Sequence, residues 1–332
     1  MARVIDTIIG HREILAPLFH ASHEAKLSQS LIFAGPPGIG KSMAALALAQ
    51  ELICESIGQS PAHAEAAGRI GQACGVCGSC LRMARCQSES LCRLAPDGQT
   101  IKIEQVREVL QFIALRRLGR SRVILIDQAH ALNPQAANAL LKSFEEPPPG
   151  TYFILLTPLP GALLPTIRSR GQMIRFKALT SQQLKLVVGE VDDWIVDAAM
   201  GSVAQARQLM ENQEQYQEIE SAVENFLVAA ASSFPAPEIS NLKEALKERS
   251  SQAVAAALLQ GVFRDGWRAR GGAQPRGRLW PKLGGLVHRM STQALEDCSD
   301  FSLNFETEMA RNTDRSLLLE NFALLWRREV SN

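Results

Sequence analysis

Eight residues, Gly35-Pro36-Pro37-Gly38-Ile39-Gly40-Lys41-Ser42, satisfy the pattern G-x-x-x-x-G-K-[ST] in full. Glycines at those spacings let the backbone turn so that several N–H groups converge on one point and can hold a phosphate. Lys41 adds a point charge toward β and γ phosphates, and Ser42 offers a hydroxyl to Mg²⁺. A carboxylate must complete the metal's water shell, and Asp127, at the end of the apolar run VILID, has the right type and context. Gln128 follows it, where nucleotide hydrolases of this kind usually carry a general base. An amide can orient a water but cannot take its proton at neutral pH. These residues predict binding of ATP or ADP with Mg²⁺, and they do not predict its hydrolysis.

A second constellation is thiol-based. Of seven cysteines, most lie between Cys54 and Cys92, and Cys74-x-x-Cys77-x-x-Cys80 is the tightest group. With Cys54 as a fourth ligand, these thiolates predict a closed tetrahedral Zn²⁺ site that leaves no position for catalysis. Cys86 and Cys92 compete for the fourth place, and a set of buried, redox-silent thiols is the plainer reading. An iron–sulfur run would want a fourth cysteine close behind, usually with a proline after it, whereas Cys86 is followed by glutamine.

The elements that must position these groups alternate in the first half of the chain. Ser30 to Ala34 reads as a short buried strand that runs into the glycine turn and then a helix from Ser42 to Cys54. Val123 to Ile126 and Tyr152 to Leu156 are further strands. Between them, Pro134 to Glu146 reads as a helix that Pro147-Pro148-Pro149 must stop. Strands separated by helices predict a parallel sheet with helices on its faces. From about Thr180 the strand signals vanish, and Thr180 to Val188, Val203 to Met210, Gln215 to Ala230 and Ser316 to Val330 carry apolar residues at helical spacing. The expected organisation is a nucleotide-binding domain over 1–178 with a cysteine module inserted at about 54–92, a small helical lid over 179–212, and a helical bundle over 213–332.

The bulk composition fits this plan. A chain of 332 residues is too long for one ordinary core. Its 35 basic and 34 acidic side chains leave a formal charge of +1, which excludes a globally basic nucleic-acid binder, so any such contact needs a local patch or partner subunits. No window approaches the length of an apolar membrane span, and MARVIDTIIGHREIL lacks a basic segment followed by an apolar core. Together with an odd number of cysteines, these features predict a cytoplasmic protein without membrane contact.

GPPGIGKS, the cysteine module, IKIEQVREV at 101–109, NALLKSFEEPPPGTYFILLT at 138–157 and IRSRG at 167–171 together resemble the AAA+ clamp-loader family of bacterial DNA polymerase III. The likeness runs from IIGHREI at 8–14 through GSVAQA at 201–206, and beyond it the chain fits only as a generic helical bundle. The resemblance implies an AAA+ P-loop domain, then a lid and a helical collar, in fold terms α/β followed by all-α. Motor subunits of the family carry an acidic pair after that strand and an arginine in a G-S-x-R lid motif; here those positions hold Gln128 and Ala204. Both departures favour the delta-prime class, which resembles a stator. Ser169 and Arg170 match the family's Ser-Arg-Cys motif, with Gly171 in place of its cysteine, so the resemblance implies that Arg170 reaches a neighbouring subunit's γ-phosphate. Arg168 competes for that role, and Thr157 matches the sensor position.

The implied function is that of a subunit within the polymerase III holoenzyme, a nucleotidyltransferase assembly. It binds nucleotide, lends Arg170 to a gamma/tau-type motor, and works with the delta subunit to load the sliding clamp on primed DNA. The alternative from the same family is an active motor ATPase in which Gln128 orients the attacking water. A third class, a metal-dependent nucleic-acid-binding module, rests on the cysteines alone and has few aromatics or lysines beside them for stacking or phosphate contacts, although Arg82 and Arg85 are present.

Overall fold

The computed structural model describes residues 3–57, 70–117, 119–310 and 314–330. Residues 58–69, inside the expected cysteine module, lie outside the described residues, as do the last two residues of the expected collar. The chain forms two compact units, Met1–Val187 and Val188–Asn332.

The first unit contains, in order, α1 (Arg12–His23), β1 (Ser30–Ala34), α2 (Lys41–Ile53), α3 (Gly78–Ala84), β2 (Leu91–Leu94), α4 (Ile103–Ala114), β3 (Arg122–Ile126), α5 (Pro134–Glu145), β4 (Thr151–Thr157), α6 (Pro165–Arg168), β5 (Gln172–Arg175) and α7 (Ser181–Val188). Among the described residues, five strands form a parallel sheet in the order β2-β3-β4-β1-β5. Every side chain of β1 and β3 is buried, as continuous apolar runs between two helical layers require.

Successive residues of these strands enter different cores. Leu31, Phe33, Val123, Leu125, Ile154 and Leu156 pack with α1 and α2 on one face, whereas Ile32, Ile124, Ile126, Phe153 and Leu155 pack with α4 and α5 on the other. The central strands are thereby locked in register, since a one-residue slip would exchange the two sets. Arg122 adds a local fastener at the start of β3. Buried itself, it donates to the carbonyls of Phe112, Ile113 and Leu115, each at 2.7 Å, and so satisfies the C-terminal end of α4. Helix α5 starts with Asn133 as N-cap, its side chain accepting from the Ala136 N–H at 2.7 Å, and with Pro134 in the first turn. The proline run after Glu146 prevents it from continuing.

The second unit is helical: α8 (Asp193–Ala198), α9 (Val203–Glu211), α10 (Gln213–Ser232), α11 (Ala236–Ala245), α12 (Arg249–Arg270), α13 (Trp280–Val287), α14 (Thr292–Ala310) and α15 (Arg315–Val330). Phe226, Phe263, Phe322 and Trp326 form its aromatic centre, and the Trp326 indole N–H donates to the Leu227 carbonyl at 2.9 Å. An α/β unit followed by an all-α one is the fold class expected from the sequence. The unit boundary falls inside α7, within the stretch assigned to the lid. Among the described residues, no helix is long and apolar enough to cross a membrane.

Candidate functional site

In a parallel sheet covered on both faces, ligands bind beyond the carboxyl ends of the strands. Here β1 delivers the phosphate loop to that edge, β3 delivers Asp127 and β4 ends on Thr157. Gly35 is the first residue of the turn. Its φ is +153°, and a β-carbon there would lie 2.3 Å from the Phe176 carbonyl oxygen, so a side chain is excluded by sterics as well as by conformation. Its N–H donates to the Thr157 carbonyl at 3.2 Å, which ties the loop to the end of β4.

Lys41 opens α2 and is buried, with Nζ donating to the carbonyls of Gly35 (2.7 Å) and Pro36. Burial pushes its pKa below the usual lysine value, and the Asp127 carboxylate works against that shift. Ser42 is half-buried in the first turn of α2. Asp127 is half-buried too, its N–H donating to the Leu94 carbonyl at 2.8 Å and its Oδ1 accepting the Gln128 N–H at 2.9 Å. Gln128 is exposed and left-handed, with φ +47°. Thr157 is fully buried, and its hydroxyl accepts the Leu159 N–H at 3.0 Å.

Two histidines at this edge gave no signal in the sequence. His11, also left-handed at φ +55°, has Nε2 2.8 Å from the Ile39 carbonyl in the loop and its ring edge-on to Phe176. His130 follows Asp127 by three residues. Its Nδ1 is buried without a hydrogen-bond partner, and burial lowers its pKa against the opposing pull of Asp127. Neither belongs to a fixed-spacing motif, which is why type and spacing pass over them.

The cysteines converge at the far end of α2. The Sγ atoms of Cys54, Cys74, Cys77 and Cys80 all lie within 4.8 Å of one another, and Cys74 and Cys80 are 3.8 Å apart. Zn–S bonds of ~2.3 Å place tetrahedral sulfurs about 3.8 Å apart, so the set fits zinc. Backbone donors already aim at the sulfurs: Cys77 N–H to Cys74 at 3.2 Å, and Cys80 N–H to Cys77 and Cys74 N–H to Cys54, both at 3.4 Å. Such donors favour thiolate. The Cys54 pKa is held down at about 5, chiefly by the hydrogen bond from the Cys80 thiol, while the same interaction pushes Cys80 up. Burial opposes ionisation of Cys77, but the N–H groups of Cys80 and Glu55 together with the thiols of Cys74 and Cys80 outweigh it.

The competing cysteines stand outside the group. Cys86 is exposed with Sγ 3.7 Å from Arg93, and Cys92 is on β2, its pKa raised by burial and then by Glu108. Glu51, on α2, anchors the returning chain. It is fully buried and accepts from the N–H groups of Gln72 (2.7 Å) and Ala73 (2.6 Å) as well as pairing with His23.

Arg170 follows the short helix α6. Its Nε lies 2.8 Å from Glu145 Oε2, and Nη1 donates to the Thr166 carbonyl at 3.1 Å. Arg168, the competing candidate, is exposed at the end of α6 with no side-chain partner among the described residues. Gly171 fills a place with no room for a cysteine: a β-carbon there would be 2.6 Å from Ile32 Cδ1 and 3.0 Å from Phe144 Cζ. Ala204 sits in the first turn of α9, behind a Ser202 N-cap.

The sequence that forms these sites is similar to that of known proteins. A family model described as DNA polymerase III, delta subunit, matches residues 10–180, just over half of the chain. The delta' subunit of DNA polymerase III from Pseudomonas aeruginosa is 39% identical over 149 residues, covering 44% of this chain and 42% of that protein. The tau subunit from Escherichia coli is 32% identical over 181 residues, covering 54% and 26%. Gamma/tau from Mycobacterium tuberculosis is 30% identical over 188 residues, covering 55% and 30%. The chain thus spans under half the length of the curated relatives it matches. Among solved structures, a gamma subunit-related protein from Thermotoga maritima is similar with a TM-score of 0.46 and 17% identity, covering 94% of this chain and 99% of that one. The match over residues 10–180 is what decides the matter: the chain belongs to the DNA polymerase III delta-subunit family, a family of clamp-loader proteins.

Proposed function

We propose that this clamp-loader protein is a delta-prime-type subunit that holds ATP or ADP in its own pocket and supplies Arg170 in trans to a neighbouring motor ATPase. The observation that carries the reading is the pairing of an intact phosphate loop and Asp127 with Gln128, exposed where a proton acceptor would stand. Backbone N–H groups of the loop hold the phosphates, Lys41 turns from the loop carbonyls toward their charge, and Ser42 and Asp127 hold Mg²⁺. Gln128 orients water without deprotonating it, and Ala204 supplies no lid cation, so the chain's own turnover is slow.

Arg170 acts elsewhere. A trans arginine meets charge that develops only at the transition state, and such a residue is worth ~10³–10⁵ in rate in related systems. In this reading the partners are gamma/tau-type motors and a delta subunit in a hetero-oligomer, with the sliding clamp and primed DNA reached through the assembly. The domains divide as nucleotide-binding module (1–178), lid (179–212) and collar (213–332). Cys54, Cys74, Cys77 and Cys80 would hold a zinc ion, which would serve as a structural crosslink between α2 and the inserted module.

The test is turnover by the purified chain alone and with the gamma/tau-type subunit of its own genome. Slow turnover alone, stimulated turnover in the complex and loss of that stimulation in Arg170→Ala are expected. Vigorous ATPase by the isolated chain defeats the stator reading.

A further inference from the structure

Arg170 is held within its own chain by an ion pair with Glu145 and a hydrogen bond to the Thr166 carbonyl. A guanidinium carries five N–H donors in one rigid plane. The Glu145 carboxylate pairs with the guanidinium on its Nε side at 2.8 Å and the Thr166 carbonyl accepts from Nη1 at 3.1 Å, so two contacts hold the group. Nη2 keeps no acceptor among the described residues, and the side chain remains 35% exposed. The arrangement leaves Nη2 as a donor on a partly exposed side chain.

Glu145 can reach Arg170 because of how the chain packs behind it. Glu145 is the last residue of α5, next to Phe144, which is fully buried. Gly171, next to Arg170, lies so close to Phe144 and Ile32 that a β-carbon would collide with both. The backbone at 170–171 is therefore seated on the end of α5. The proline run after Glu146 fixes where that end is. Glu145 itself is half-exposed, so water screens its charge and its effect on the arginine is more geometric than electrostatic.

We propose that Glu145 is a positioning residue: by binding Nε it orients Arg170 so that Nη2 points at a phosphate held by the neighbouring subunit. This rests on the trans role of Arg170 given above. An arginine without that brace must give up its side-chain rotamer freedom on reaching the transition state, at a cost on the order of tenfold in rate.

The experiment measures steady-state ATP turnover against ATP concentration in the complex reconstituted with the gamma/tau-type subunit. Variants are Arg170→Ala, Glu145→Ala, Glu145→Gln and Arg170→Ala/Glu145→Ala, each checked for assembly by gel filtration and for thermal unfolding. Glu145→Ala is expected to lower kcat about tenfold with KM for ATP unchanged, because the brace acts on the transition state. Glu145→Gln keeps a carbonyl oxygen for Nε and is expected to retain most of the rate. In the Arg170→Ala background, Glu145→Ala is expected to change nothing further.

Wild-type kcat in Glu145→Ala, or a further loss in the double variant, overturns the positioning role while leaving Arg170 in place. A higher kcat in Glu145→Ala also overturns it, since the carboxylate would then be a competitor for the arginine. Wild-type kcat in Arg170→Ala removes the trans reading, and the positioning role with it. Failure of a Glu145 variant to assemble makes the contact structural and counts against the proposal.

Discussion

Arg268 grips Asp197 from α12 with two bonds, Nη2 to Oδ1 at 2.7 Å and Nη1 to Oδ2 at 3.0 Å, and Arg264 adds a third at 2.6 Å. Asp197 belongs to α8, so these bonds fasten α8 to the long helix of the second unit. Burial alone would raise the Asp197 pKa, but the hydrogen bond from Arg268 and the charges of both arginines bring it below its ordinary value.

Because the folded pKa lies below the unfolded one, the stabilisation is complete above the unfolded value of ~3.9 and is lost as pH falls through the folded value. Asp197→Asn is expected to cost about 3 kcal/mol at pH 7, since it leaves two cations facing an amide. The cost should shrink toward pH 3, below the unfolded value, where the unfolded chain binds a proton that the folded carboxylate resists. All four tryptophans, Trp194, Trp267, Trp280 and Trp326, lie beyond residue 188. Urea denaturation followed by tryptophan fluorescence therefore reports this unit, and an equal loss at both pH values contradicts the assignment.

The thiol cluster predicts a metal that can be counted. One zinc per chain is expected by elemental analysis, with occupancy lost in Cys74→Ser and Cys80→Ser and retained in Cys86→Ser and Cys92→Ser. Cys54 is the residue at the C-terminal end of α2, and Glu51 one turn earlier holds the backbone just before Cys74. Chelation is therefore expected to lower the melting temperature of the first unit rather than release a loop alone, because four ligands close the module onto the phosphate-loop helix. Full occupancy in Cys54→Ser would displace it from the ligand set.

Most of the positioning scaffold is legible in the sequence for a simple reason. β1, β3 and β4 are buried on both faces, so they read as apolar runs between turn residues. β2 (Leu-Cys-Arg-Leu) and β5 (Gln-Met-Ile-Arg) lie at the two edges of the sheet, are partly exposed, and carry polar side chains that hide them. The phosphate loop is legible because its function is local. Cys54 is twenty positions from Cys74, and only folding shows that their sulfurs share a site. Glu145 is harder still: it is one of two adjacent glutamates, and nothing local distinguishes the one that meets Arg170.

Lys41 already spends two of its three donors on the Gly35 and Pro36 carbonyls, so nucleotide must compete with the loop's own backbone. ADP or ATP with Mg²⁺ at ~100 times Kd is expected to stabilise the first unit by about 2.7 kcal/mol, a shift of several degrees in melting temperature. Lys41→Ala should abolish the shift, and Asp127→Asn should remove its dependence on Mg²⁺ while leaving part of the shift itself. A ligand-induced shift that survives Lys41→Ala would place the nucleotide outside this loop.

Gln128 gives the most direct test of what the pocket does with its nucleotide. Its backbone N–H is bonded to Asp127 Oδ1 at 2.9 Å in a left-handed turn, so the side chain leaves the strand end with its direction set by the backbone. Gln128→Glu puts a proton acceptor on the same stem, and general-base catalysis typically contributes ~10²–10⁴ in rate. In single-turnover assays of the isolated chain, wild type is expected to hydrolyse ATP barely above the uncatalysed rate. Gln128→Glu should be faster, by up to the general-base effect. Wild-type turnover equal to that of Gln128→Glu would mean that an orienting amide suffices here, and the chain would then be a motor in its own right.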